Sequence, residues 1–271
     1  MTITLHRRQL LLAAPFIWAM SACVPQSKML AGNWGRYDAK SDRKVDNSQW
    51  NAFLGRYVVT GSDGVNRVAY ARAAKTNTRM LRPYITSLEK IDPASLNKDE
   101  QMAFWINLYN AVTADLILQN PGIKSIRDLG IFTLGPWNKD LVRINNSALS
   151  LNDIEHGILR PIWKDVRIHY AVNCASIGCP NLALRAYSGE ELEDMLQQAA
   201  ADFINHPRGF TQKEGKIQAS RIFDWYGSDW GDVKSILNHA RLYAKGDAAA
   251  MLANANGIDS YDYDWKLNAV E

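Results

Sequence analysis

The two cysteines in RIHYAVNCASIGCPNL, residues 167–182, form the most reactive pattern in the sequence. Period-two alternation reads 167–173 as a strand with His169, Ala171 and Asn173 on one face, after which Cys174 enters a turn containing Ser176, Gly178 and Pro180. A cysteine at such a junction, with histidines nearby in sequence, is a candidate thiolate nucleophile. The short spacer to Cys179 equally allows the Cα separation of roughly 4.4 to 6.8 Å that a disulfide needs. A metal site built from Cys174, Cys179, His156 and His169 matches no standard zinc spacing well, so no metal and no cofactor is expected. Nucleophile and disulfide both stay open.

Two further segments carry polar groups where apolar ones prevail. In SLNDIEHGILRPIW, 150–163, Glu155, His156 and Arg160 fall on a short helix capped by Ser150 with Asp153, and His156 and Arg160, four apart, share a face. A solvated salt-bridged helix explains the charges but not a histidine among Ile154, Ile158 and Leu159; a satisfied core histidine is the plain alternative to a catalytic one. In QMAFWINLYNAVTADLILQN, 101–120, apolar residues cover nearly the whole circumference, so this helix is buried on most sides. Asn107 and Asn110 lie on one face of it, and a buried amide without partners costs roughly 1 to 3 kcal/mol. They either bond loop carbonyls and lock the helix to a turn, or orient a catalytic imidazole or serve an oxyanion.

The elements that must position these groups follow from periodicity. Helical patterns occupy 48–58, 76–91, 98–119, 151–159, 190–205 and 232–244, and strand-like runs occupy 65–71, 141–145, 167–173 and 216–219. Ser188 with Glu191 reads as a capping box, and Asn120, Pro121 and Gly122 stop the long helix. Asn145-Asn146 and Glu214-Gly215 supply turn chemistry. Helices first and short strands later give an α+β class: a single mostly helical domain over 46–271 with a small, mainly antiparallel sheet. Trp225, Tyr226 and Trp230 in RIFDWYGSDW read as core or as an interaction surface.

With 271 residues, 47% hydrophobic and 22% charged, the chain is long and apolar enough for a sizeable core, which excludes a disordered tail. Its net charge of +3 includes Arg7 and Arg8, which fall in a leader. Nucleic acid as a partner therefore lacks an electrostatic argument. Residues 5–23, LHRRQLLLAAPFIWAMSAC, have the basic start, short apolar run and small residues of an export signal. Met20-Ser21-Ala22-Cys23 resembles the lipobox, in which the cysteine is acylated. The partition expected is a signal at 1–22, a lipid-anchored tether at 23–45, and the globular domain beyond. Such a chain is exported and periplasmic, held at a membrane through Cys23, and Val24 in place of aspartate resembles lipoproteins passed to an outer membrane. Its oligomeric state is left open.

AFWINLYNA (103–111), SLNDIEHGILR (150–160), IHYAVNCASIGCPNL (168–182), RIFDWYGSDW (221–230) and YDYDWKLN (261–268), in this order, resemble the domain of unknown function 547 family. The resemblance implies no reaction, but it implies that these motifs converge in one cleft carrying Asn107, Asn110, Glu155, His156, His169, Asn173, Cys174 and Cys179, with Arg160 as a binding group. It also implies that Cys174 matters more than Cys179, whose position is not always cysteine in the family, and Ala175 stands where members often carry glycine. The chemistry that fits a thiol, an imidazole and an orienting amide or carboxylate is acyl transfer on a peptide or another envelope substrate. Cys174 would attack, His156 would take its proton, Asn107 or Glu155 would orient that ring, His169 would be the alternative base, and the amides of 175–178 would hold the oxyanion. The competing class is a non-enzymatic envelope module stapled by a Cys174–Cys179 disulfide.

Overall fold

A helix that is apolar on every side persists only when other elements enclose it, and in the computed structural model every residue from Glu100 to Leu118 of the central helix is buried. The structure describes residues 26–131 and 134–270; the expected signal at 1–22 and Cys23 lie outside the described residues. In chain order the first elements are α1 (Ser48–Tyr57), β1 (Val58–Thr60), β2 (Asn66–Val68), α2 (Tyr70–Thr76), α3 (Arg82–Glu89) and the central α4 (Lys98–Leu118). Then come β3 (Val142–Ile144), β4 (Ser147–Leu149), a π-helical stretch at Asp153–Leu159, α5 (Arg160–Trp163), α6 (Ile168–Ala171) and α7 (Leu192–Ile204). The last are β5 (Phe210–Lys213), β6 (Lys216–Ser220), α8 (Ile222–Trp225), α9 (Gly227–Trp230), α10 (Val233–Tyr243), α11 (Gly246–Ala253) and β7 (Ser260–Asp262).

The class is α+β, mostly helical with small sheets. β1–β2 and β3–β4 are antiparallel hairpins, and β6 pairs antiparallel with β5 and parallel with β7. The β3–β4 and β5–β6 turns each put two successive residues in the left-handed region, Asn145 and Asn146 (φ +47° and +64°) and Glu214 and Gly215 (φ +51° and +79°), the twist that tight hairpins favour. One core surrounds α4; a second, holding Tyr170, Phe203, Phe223 and Leu237, packs α7, α8 and α10 against β5–β6. Among the described residues no helix is long and apolar enough to cross a membrane.

Polar groups on α4 anchor its surroundings. Both carboxylate oxygens of buried Glu100 accept backbone N–H groups, from Val45 at 2.8 Å and Gly189 at 2.7 Å. Gln101 donates to the carbonyls of Arg36 (2.6 Å) and Pro93 (2.9 Å).

Three expectations are corrected. Residues 167–173 are not a strand: Ile168–Ala171 is one helical turn, all four residues buried, and where every side chain is buried alternation carries no information about period. Ser188 and Glu191 form no capping box; Glu191 itself precedes α7, whereas Ser150 and Asp153 exchange hydrogen bonds of 2.9 and 3.1 Å as a box should. Residues 28–45, expected as tether, lie against the domain, with Trp34 and Val45 buried.

The reason for the third difference lies in Pro161. It has no N–H to offer the carbonyl of His156 and its ring disfavours a helical bond to that of Gly157, so both acceptors are left over in mid-helix. Lys28 N–H takes the first at 3.0 Å and Leu30 N–H the second at 2.8 Å. A side chain at Gly157 would meet Leu30 Cβ at 3.1 Å, so the missing Cβ admits this segment.

Candidate functional site

The π-helical stretch widens the helix by one residue per turn, a distortion frequent at functional sites, and Arg160 N–H closes it on the Glu155 carbonyl. It turns Glu155, His156 and Arg160 inward, all buried. Opposite stands Asp229 on α9. Arg160 grips it with two parallel hydrogen bonds, Nε to Oδ2 at 2.7 Å and Nη2 to Oδ1 at 2.8 Å. His169 on α6 reaches the same carboxylate, Nε2 to Oδ2 at 2.8 Å, and stacks on Tyr226 with centroids 4.4 Å apart and on Trp230 at 5.2 Å.

These contacts fix proton positions. A guanidinium only donates, so Arg160 Nη1, 2.9 Å from His156 Nδ1, makes that nitrogen an acceptor and leaves the His156 proton on Nε2. Burial, then the Arg160 charge, holds the His156 pKa down to about 3. His169 donates from Nε2 to Asp229, which leaves its buried Nδ1 without a hydrogen-bond partner among the described residues; Glu155 Oε1 stands 3.8 Å away. Burial lowers the His169 pKa, partly offset by its bond to Asp229. Burial raises Glu155, against the His169 and Arg160 charges and a hydrogen bond from Tyr109. Burial would raise Asp229 too, but its bonds to His169 and Arg160 outweigh this and hold the carboxyl well below the usual range.

The cysteine loop leaves α6 through extended Val172. Asn110 clamps it, donating to the Ala171 carbonyl at 2.9 Å and accepting Asn173 N–H at 2.8 Å. Asn173 in turn donates to the Pro180 carbonyl (2.7 Å) and accepts Ala175 N–H (2.9 Å), closing the loop on itself. Ala175 sits at φ +59°, in the left-handed region that disfavours a Cβ. The segment 264–268 seals the outer edge: Ile177 N–H bonds Lys266 O, Gly178 N–H bonds Asp264 O, and Asn268 N–H bonds Ala175 O.

Both thiols are free, Cys174 half-buried and Cys179 buried, with sulfurs 2.7 Å apart. Cys174 Sγ also meets Tyr263 Oη at 2.9 Å and Ser176 Oγ at 3.6 Å, and its backbone N–H donates to Cys179 Sγ at 2.9 Å. Burial pushes the Cys174 pKa up, but hydrogen bonds from Cys179, Tyr263 and Ser176 together bring it below the usual thiol value. Burial, reinforced by Cys174, drives Cys179 well above it. The pair is thus asymmetric, with the reachable sulfur the better thiolate.

The structure brings Cys174, Cys179, Glu155, His156, Arg160 and His169 into one region, with Asn110 and Asn173 bracing it. Three assigned roles change. Asn107 orients no imidazole; it holds Tyr187 by both backbone groups, at 2.8 and 2.9 Å. His156 is not placed as the base, since Arg160 occupies its Nδ1 and neither imidazole hydrogen-bonds the Cys174 thiol. Of the turn amides expected to hold an oxyanion, those of Ala175, Ile177 and Gly178 are already bonded, and among the four only Ser176 N–H donates no hydrogen bond within the described residues. Sequence reasoning missed Asp229, Tyr109 and Tyr263. Asp229 had only an ambiguous signal: two carboxylates, Asp224 and Asp229, stand among the aromatics of 221–230, and the sequence does not tell the half-buried one from the exposed one. Among the described residues no group of three or more His, Cys, Asp or Glu side chains is arranged to hold a metal ion.

Residues 93–204 match the family described as "Protein of unknown function, DUF547", so the chain carries a DUF547 domain over that stretch. The match includes Tyr109, Glu155, His156, Arg160, His169 and both thiols; Tyr226, Asp229 and Tyr263 come from beyond it. No curated protein and no solved structure matches the chain.

Proposed function

We propose that the chain is a thiol enzyme of acyl transfer whose nucleophile is the Cys174 sulfur. The observation that carries this reading is the set of hydroxyls on a half-buried, low-pKa thiol: Tyr263 at 2.9 Å and Ser176 at 3.6 Å. In the reaction the Cys174 thiolate attacks a carbonyl, the thioester forms and the leaving group departs. The tetrahedral oxyanion needs donors that disulfide exchange would not need. Burial keeps the Tyr263 hydroxyl protonated far above pH 10, so it can pass its hydrogen bond from sulfur to oxyanion, the role expected of the turn amides. His169, oriented by Asp229 as a triad imidazole is by its carboxylate, replaces His156 as the base of this reading, its unprotonated Nδ1 held buried beside Glu155.

The sulfur separation of 2.7 Å favours a second reading, in which Cys174 and Cys179 join as a staple in a non-enzymatic module. Alkylation of the natively folded protein without reductant, followed by mass spectrometry against pH, separates the two. A free Cys174 that alkylates with a midpoint below the roughly 8.5 of an ordinary thiol is expected. A Cys174–Cys179 disulfide that resists reduction overturns the enzyme.

The same proposal sets the domain in a cell envelope, acting on a peptide or another acyl compound there and anchored by acyl chains on Cys23; residues 5–23 alone support this part. Metabolic labelling with palmitate should mark the wild-type chain and not Cys23→Ala. Equal labelling of both would end the anchor proposal.

A further inference from the structure

Tyr263 has two ends. Its hydroxyl lies on the Cys174 sulfur, and its ring begins a run of aromatic side chains that leads away from it. Trp265 lies 4.7 Å and Trp225 4.8 Å from the Tyr263 ring, the two indoles are 5.3 Å apart, and Trp137 continues the run 6.5 Å beyond Trp265. All four rings are partly exposed. A few residues before Trp137 in sequence, Ile131 and Leu134 are two of the most exposed large apolar side chains described, at 77% and 64%. Large aromatic rings usually find full cover, and a contiguous run of half-buried rings beside a reactive group marks a contact surface rather than scattered surface residues. Here the surface ends on a reactive sulfur, and its one hydroxyl at that end is turned toward the thiol. The Arg127 guanidinium covers one face of the Trp265 ring at 5.1 Å, and exposed Asp264 and Lys266 flank that ring in sequence, so an apolar chain has the other ring face and the neighbouring aromatics to lie on.

We infer that this aromatic wall is the acyl-chain subsite, and that the substrates are acyl compounds with a long unbranched apolar chain. The inference rests on the acyl-transfer reading. With the carbonyl at Cys174 and its oxygen toward the Tyr263 hydroxyl, the chain runs over Tyr263 and Trp265 toward Trp137. The covalent step is attack of the thiolate on the carbonyl carbon, giving a Cys174 thioester and releasing the alcohol or phenol part as its anion.

The test uses the pre-reduced full chain and p-nitrophenyl esters of acetate, butyrate, hexanoate and octanoate, with acylation of Cys174 timed by mass spectrometry. A methylene fully withdrawn from water is worth about fourfold, and on a one-sided wall about twofold per methylene is expected, so about sixtyfold from acetyl to octanoyl. Trp265→Ala, at the ring an octanoyl chain reaches, should flatten the hexanoyl-to-octanoyl part of this rise, whereas Leu242→Ala, at an 80% exposed apolar residue on α10, should leave it unchanged. Acylation at a rate indifferent to chain length overturns the subsite and leaves the nucleophile standing. A rise that Leu242→Ala removes and Trp265→Ala does not overturns the placement on the wall. No acylation by any ester, on a thiol shown to be reduced, takes down both the subsite and the acyl-transfer reading.

Discussion

Lowering the pH from 7 to 5 should destabilise the fold by about 2 kcal/mol through His156 alone. In the folded chain this ring is buried, accepts from Arg160 at Nδ1, and has its pKa moved from an ordinary 6.5 to about 3, by burial first and by the Arg160 charge second. The charged and titratable groups around it are Arg160, Asp229 and Glu155, the last with Oε1 at 3.8 Å. Between the two pKa values the unfolded chain holds a proton that the folded chain refuses, so stability falls as the pH drops below 6.5 and keeps falling until about 3. At pH 7 the unfolded imidazole is about one-quarter protonated and at pH 5 almost fully, and integrating between them gives about 2 kcal/mol. Since pH 5 is still well above the folded value, almost the whole effect comes from the unfolded chain. His156→Gln keeps an acceptor for Arg160 and removes the titration. Urea midpoints of both proteins at pH 5, 6 and 7 should therefore diverge, the wild type losing about 1 M more than the variant for a slope of about 2 kcal/mol/M. His169, His206 and His239 also carry lowered pKa values, but they act in both proteins alike. Parallel midpoints would refute the buried, neutral His156 and with it the Arg160 hydrogen bond.

Asn107→Ala strands the N–H and C=O of Tyr187, so it should lower stability by about 2 to 4 kcal/mol in urea while leaving the pH midpoint of Cys174 alkylation in place; a shifted midpoint would return Asn107 to the site. Ala175→Gly relieves a left-handed alanine, worth roughly 1 to 2 kcal/mol, against roughly 0.5 to 1 kcal/mol of extra chain entropy and about 0.8 kcal/mol for the buried methyl, and should leave stability within about 1 kcal/mol of the wild type; a loss of about 1.5 kcal/mol or more would contradict the strain.

Much of the fold was legible because α4, α7 and α10 carry strong patterns and chemical boundaries. Asn97 caps α4 by accepting Glu100 N–H at 2.9 Å, and Asn120 closes it by donating to Leu116 O at 2.8 Å. What escaped was decided by tertiary demand. Residues 168–171 alternate like a strand, yet burial on all sides made the pattern silent. Residues 28–45 have no period of their own because α4 and the broken helix before Pro161 dictate where they lie. In the site, residue types pointed to Cys174, Glu155, His156 and His169, but which imidazole nitrogen is free depends on Arg160 and Asp229, 69 residues apart in sequence. Tyr263, which touches the thiol from 89 residues away, could not be tied to it by spacing.

The seal that segment 264–268 places on the cysteine loop also sets an order of events during synthesis. At about 5 to 20 residues per second, the 90 or so residues separating Cys174 from Tyr263 take about 5 to 20 s to make. Throughout that interval both thiols are already translated, yet the hydroxyl that steadies Cys174 and the partners of the Ile177 and Gly178 amides do not exist. The nascent loop is then most open to stray oxidants and foreign disulfides. The two thiols thus precede by several seconds the groups of 263–268 that hold their loop in place.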